Sequence, residues 1–192
     1  MPTLDEVVKR AARVRAALIR RYRWFIHTSP ERNLDSIRKF GLRPNRDVDP
    51  SERRGVIEAY GPDVGPILCF HPLGAQECPA GADATAEPLQ LGMDVEPRLV
   101  SFAVEGRDLP EQLALDWSYE WERVLRLLEE KYRDLPPEKA VVHIVNELGS
   151  IASLSSVEPE KLRVYCSNNS PTNPLSWALL LAAPIHTIIR HG

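Results

Sequence analysis

The stretch Trp24-Phe25-Ile26-His27-Thr28-Ser29, followed by Asn33-Leu34-Asp35-Ser36-Ile37-Arg38-Lys39-Phe40-Gly41-Leu42, decides how the rest of the chain is read. Three aromatic or β-branched residues in a row favour a buried strand. That strand delivers a polar His-Thr-Ser trio at its end. Leu34, Ile37, Phe40 and Leu42 then supply the apolar side of a short amphipathic helix, and Gly41 stands where a helix takes its C′ residue. A histidine at the end of a core strand, with hydroxyls beside it, is expected to point into a cleft rather than into bulk solvent.

Upstream, residues 3–22 read as a helix. Thr3 is a plausible N-cap, Asp5 and Glu6 sit in the first turn, and Arg20, Arg21 and Arg23 cluster near the end, each as the helix dipole favours. Leu4, Val7, Val8, Ala11, Ala12, Val14, Leu18 and Ile19 form the apolar stripe. Lys9, Arg10, Arg13, Arg15 and Arg20 form a basic face, which is either solvated or a contact for nucleic-acid phosphates.

Downstream, residues 43–66 read as a loop rich in Pro, Asp and Arg, and Ile67–Phe70 as a short buried strand. A second loop of low complexity covers 72–96. Residues 98–104 alternate as a strand anchored by Leu99, Phe102 and Val104. Helices are expected from about Tyr119 to Tyr132 and over 138–148, the second opened by Pro136-Pro137 and stopped by Gly149. Ile151–Val157 and Leu162–Cys166 read as strands around the turn Glu158-Pro159-Glu160. Residues 176–183 are helix or strand, and Ile185–Ile189 is a last strand. Strands and helices mix without regular βαβ alternation, so the expected class is α+β in one domain over residues 1–192, with flanking helices and long loops.

Bulk properties bound the function. The 192 residues are 43% hydrophobic and 27% charged, the balance of an ordinary soluble globular protein. A net charge of -3 argues against a uniformly basic nucleic-acid coat while allowing a local basic patch. Seventeen prolines, against a usual share of about 5%, indicate many irregular connections. The three cysteines, Cys69, Cys78 and Cys166, are irregularly spaced, which suits a reducing compartment. With no apolar leader-like start and no run long enough to span a membrane, the expected location is cytoplasmic. Glycine-rich phosphate loops, His-Glu-x-x-His and Cys-x-x-Cys are absent from the sequence. Cys69-x-His71 with Cys78 lacks a fourth ligand at sensible spacing, so no metal is expected.

The segment 24–44 resembles the first motif of the ADP-ribosyltransferase fold. Its His-x-Ser/Thr strand and "N-L-x-S-I-x-x-x-G-L" helix look most like the DNA-modifying DarT-type toxins and the RNA 2′-phosphotransferases. Pro66-Ile67-Leu68-Cys69-Phe70-His71-Pro72 is a weaker echo of a strand-then-F-x-P segment in DarT-like proteins. The resemblance implies a split antiparallel or mixed sheet core, NAD as cofactor, and nucleic acid as the substrate modified by a toxin or defence factor. DNA or RNA would then bind through the basic N-terminal helix, and a protein partner such as an antitoxin would be in keeping.

The resemblance also implies roles for residues. His27 would hydrogen-bond the adenosine ribose of NAD and Ser29 would help hold the nicotinamide half. Thr28, Asn33, Phe70 and His71 would line the same cleft. A fixed donor and acceptor pair positions the glycosidic bond for cleavage, and positioning supplies much of the rate. The plain alternative is a core histidine bonded to backbone, with Ser29 capping the next helix and Phe70 filling the core.

Transfer also needs a carboxylate near the developing oxocarbenium ion. By order in the chain Glu147 is the candidate, although its surroundings also read as a solvent-facing helix end and the strand after it offers serines. Glu120 and Glu122, in Asp116-Trp117-Ser118-Tyr119-Glu120-Trp121-Glu122, are the fallback carboxylates. That cluster reads either as an aromatic-walled pocket or as a helix cap with core aromatics. Two alternatives remain beside NAD-dependent transfer. One is RNA 2′-phosphotransferase chemistry with Arg43, Arg46 or Arg53 holding phosphate. The other is a catalytically inactive domain that binds a nucleotide or a partner.

Overall fold

The computed structural model describes residues 14–45, 65–75, 99–115, 123, 126–167 and 189–191. Among these residues the strands are β1 (Trp24–Pro30), β2 (Leu68–Pro72), β3 (Leu99–Glu105), β4 (Leu113–Leu115), β5 (Ile151–Ser153), β6 (Leu162–Ser167) and β7 (Ile189–His191). The helices are α1 (14–21), α2 (Leu34–Phe40) and α3 (Pro137–Leu148). The strands form one sheet in the order β4-β5-β2-β1-β3-β6-β7. Its pairs are antiparallel except β6 with β7. The class is α+β, as the sequence pattern predicts.

β1 is the middle strand of the sheet, which explains its composition. Phe25 and Ile26 are neighbours, so they point to opposite faces, and both are buried. A strand apolar on both faces belongs at the centre of a covered sheet. The sequence pattern predicts a strand that ends at the polar trio, but β1 runs on through it: His27 pairs with Phe102, Thr28 with Ser101, Ser29 with Val100 and Pro30 with Leu99. β3 offers an in-register partner at each step, and satisfying the backbone groups of a buried segment outweighs the polar character of three side chains. His27 is therefore mid-strand.

The main core lies on one face of the sheet. Phe25, Phe70, Phe102, Val104, Ile151 and Leu162 pack with Leu18 of α1, Tyr22 just after it, and Ile144 and Val145 of α3. Each such side chain contributes about 1.5–3 kcal/mol relative to leaving it exposed. In β3, Val100 shares a face with Phe102 and Val104. The Tyr22 hydroxyl donates to Asn146 Oδ1 at 2.9 Å, fastening α3 to the start of β1.

Of the basic residues expected on the N-terminal helix, Arg15 turns inward. Its Nε donates to the Leu109 carbonyl at 3.0 Å and its Nη2 to the Arg107 carbonyl at 2.6 Å, tying α1 to the loop after β3. Arg20 is exposed; Lys9, Arg10 and Arg13, with residues 3–13 of the expected helix, lie outside the described residues.

α2 ends at Gly41, with φ of 74°. A Cβ there would stand 2.0 Å from the Val157 carbonyl oxygen, so glycine is required by contact as well as by backbone angle. Leu42 bridges Val157 antiparallel beyond it. Ile37 and Leu42 are buried as expected, but Phe40 is 41% exposed and sits under the cations of Lys39 and Arg43. The stripe of this two-turn helix is too narrow to bring Phe40 in with Ile37.

α3 opens with Pro137 in its first turn and closes on Gly149 in the left-handed region, close to the 138–148 expected. The expected strand 151–157 is shorter: the Ser155 N–H donates to Ser153 Oγ at 3.0 Å, a local bond that competes with the ladder and ends β5. Of the helix expected over 119–132, Arg123 and Arg126 are helical and Leu127–Lys131 is a π-turn. No helix among the described residues is long and apolar enough to cross a membrane.

Candidate ligand-binding site

His27, Ser29, Asn33 and Phe70 come together where β1 runs into α2. A carbonyl only accepts hydrogen bonds, so the 3.0 Å contact between His27 Nδ1 and the Cys69 carbonyl places a proton on Nδ1. That bond fixes the imidazole plane against the neighbouring strand. The Phe70 ring adds an edge contact at 6.3 Å between centroids. Two residues on, Ser29 shares the face of His27, about 7 Å along the strand. Asn33 Nδ2 donates to Ser29 Oγ at 3.0 Å. Ser29 therefore does not cap the helix; its hydroxyl is the acceptor that ties the short 3-10 turn Glu31–Asn33 back to β1.

Thr28 and His71 are separated from this group. Ile26 pairs directly with His71, so these two share a face, and His27, being next to Ile26, points to the other. Thr28 also lies opposite His27, where its Oγ1 meets Ser101 Oγ at 2.9 Å. The buried His71 donates from Nδ1 to the Gly149 carbonyl at 2.8 Å, fastening the end of α3 to β2. The two histidines expected to share a cleft thus lie on opposite faces of the sheet, because the side-chain period of two overrides nearness in sequence.

Glu147 sits in the last turn of α3 with its side chain 16% exposed. Lys131 Nζ donates to Oε1 at 2.6 Å, and the Tyr132 hydroxyl makes a short hydrogen bond to the same oxygen. Burial pushes the carboxyl up, but the Lys131 and Tyr132 hydrogen bonds, with the charges of Lys131 and Arg123, outweigh it and hold Glu147 below the usual carboxylate range. Burial and the Glu147 hydrogen bond push the Tyr132 phenol up against the opposing pull of Lys131. The Tyr132 ring stacks on His143, one turn before Glu147 on α3, at 5.1 Å. These contacts hold an ionised carboxylate at the junction of the π-turn with α3.

Glu120, Glu122 and the aromatic cluster around them lie outside the described residues, as do Arg46, Arg53 and Cys78. Arg43 is described and lies over Phe40 at 4.5 Å. Among the described residues no group of three His, Cys, Asp or Glu side chains is placed to hold a metal ion. Sequence inspection missed Lys131 and Tyr132, whose adjacency to each other is visible but whose approach to Glu147 depends on how the π-turn docks. It also missed Arg38, which the motif hides among its variable positions. Comparison with models of protein families, with curated proteins and with solved structures found no match.

Proposed function

We propose that this chain is an ADP-ribosyltransferase-like domain that binds NAD at His27, Ser29 and Asn33 and transfers ADP-ribose to a nucleic-acid acceptor. The observation that carries the proposal is the pinned imidazole: with Nδ1–H committed to the Cys69 carbonyl, Nε2 of a neutral ring is an acceptor of fixed direction, suited to a ribose hydroxyl. Ser29 and Asn33 supply a hydroxyl and an amide on the same side. The resemblance of segment 24–44 to the ADP-ribosyltransferase motif names NAD as the ligand; the geometry supports a polar, oriented nucleotide contact.

A second reading, binding without turnover, is favoured by one observation. The carboxylate best placed in the sequence, Glu147, is held by Lys131 and Tyr132. A carboxylate whose charge is already met by an ammonium has little left for an oxocarbenium ion. Titration calorimetry with NAD, together with transfer of label from NAD to single-stranded DNA or RNA, separates the two readings. Transfer that is lost in His27→Ala and in Glu147→Gln supports the enzyme. Binding lost in His27→Ala with no transfer by the natural chain supports the inactive domain. NAD binding and transfer that are both indifferent to His27→Ala, or no NAD binding at all, removes both readings.

A further inference from the structure

We infer that the Arg38 guanidinium receives a diphosphate, the bridging group of a dinucleotide held at the His27 site. The inference rests on the proposed reading of that site for its ligand, and on Arg38 itself for its chemistry. Arg38 Nε and Nη2 are shielded from solvent and have no hydrogen-bond partner among the described residues. Its one ionic contact among the described residues is Nη1 to Asp35 Oδ1 at 3.6 Å, and Asp35 is 97% exposed. A pair this exposed and this long contributes little. The shielded N–H groups of Arg38 carry a desolvation penalty that no hydrogen bond among the described residues offsets. A fork of N–H donors with one edge left without a partner matches the paired oxygens of a phosphate.

The direction of the side chain turns this donor toward the end of α2 that joins β1. Helical side chains lean toward the N-terminus of their helix. The approach of Arg38 to Asp35, three residues earlier, shows that it does so. The guanidinium therefore leans toward the N-terminal end of α2, the end that follows the 3-10 turn joined by Asn33 to Ser29. A ligand with its ribose at His27 and a diphosphate about one helical turn away would meet both.

Calorimetry on the whole chain with NAD, ADP, inorganic pyrophosphate, adenosine and a single-stranded oligonucleotide tests the inference, using Arg38→Met and Arg38→Lys. Arg38→Met is expected to weaken NAD, ADP and pyrophosphate by roughly tenfold or more, and to leave adenosine unchanged. Arg38→Lys is expected to recover only part of the loss, since it lacks the fork. Without ligand, Arg38→Met is expected to unfold at the same temperature as the natural chain or a higher one, because it removes shielded N–H groups that lack hydrogen-bond partners. A merely structural arginine would move the unfolding temperature down and leave the affinities alone, which overturns the inference. NAD affinity unchanged in Arg38→Met overturns it while leaving the His27 reading in place. Pyrophosphate binding that depends on Arg38, beside NAD binding that ignores His27→Ala, supports the anion contact and removes the His27 reading. Loss of the oligonucleotide alone assigns Arg38 to a nucleic-acid backbone and overturns the diphosphate. Failure of the natural chain to bind any of these ligands removes both.

Discussion

His27 and His71, one position apart in the register between β1 and β2, point to opposite faces of the sheet. Both present Nδ1 to a backbone carbonyl, Cys69 for His27 and Gly149 for His71. The likeness ends there, because His71 is buried and fastens α3 to β2, whereas His27 is half-buried in the middle of β1. Replacing each by alanine is expected to give opposite patterns. His71→Ala leaves the Gly149 carbonyl without its donor and a space in a packed region, for a loss of about 2–4 kcal/mol in urea unfolding. His27→Ala is expected to lose only about 1 kcal/mol while abolishing NAD binding. Equal stability losses in the two variants would contradict the assignment of faces.

How much of this was legible beforehand follows from which forces are local. The α2 unit could be read from sequence because Leu34, Ile37 and Gly41 report a helix and its stop within one stretch. α3 was readable for the same reason, with Pro137 and Gly149 marking its ends. The extent of β1 was not, because it depends on β3 some seventy residues away supplying partners for His27, Thr28 and Ser29. The sorting of His27 from His71 required the register between β1 and β2, and register is a long-range property. Arg38 looked like any solvated helix residue until its shielding was known.

Gly41 and Gly74 separate steric contact from backbone angle. Both have positive φ, 74° and 90°, but a Cβ at Gly41 would strike the Val157 carbonyl while one at Gly74 meets nothing within 4 Å. Gly74→Ala is expected to lose about 1 kcal/mol, the left-handed backbone penalty alone. Gly41→Ala must also displace the Leu42–Val157 bridge, so a loss of about 3 kcal/mol or more is expected. Chemical denaturation of the two variants checks the difference; equal midpoints would show that the Val157 contact relaxes freely.

Phe40 gives the contrasting case of an apolar side chain outside the core. Phe40→Ser is expected to change stability by no more than about 0.5 kcal/mol, whereas Ile37→Ala, one turn earlier and buried, is expected to lose about 2–4 kcal/mol. Thermal unfolding of the pair tests whether α2 is held from the Ile37 side.

The Glu147 cluster predicts a pH dependence whose sign follows from the direction of its shift. In the folded chain Glu147 is held below the usual carboxylate range. A lowered carboxyl binds its proton less readily in the folded chain, so its stabilisation is fully present above the unfolded value and is lost as pH falls through the lower folded value. The difference in unfolding free energy between the natural chain and Glu147→Gln is therefore expected to be constant near neutral pH and to shrink below about pH 4.5. Lys131 is raised, chiefly by its hydrogen bond to Glu147, so its part of the stabilisation persists through neutral pH and declines only in strongly alkaline solution. Tyr132→Phe removes the phenol hydrogen bond while keeping the ring on His143, and is expected to lose about 1 kcal/mol. Freed of one donor, Glu147 in Tyr132→Phe should titrate closer to its unfolded value, so the acid loss of stability should be smaller and complete at a higher pH than in the natural chain. Urea unfolding across the acid range reads both effects. An unchanged acid profile in Tyr132→Phe would show that Lys131 alone governs the carboxyl.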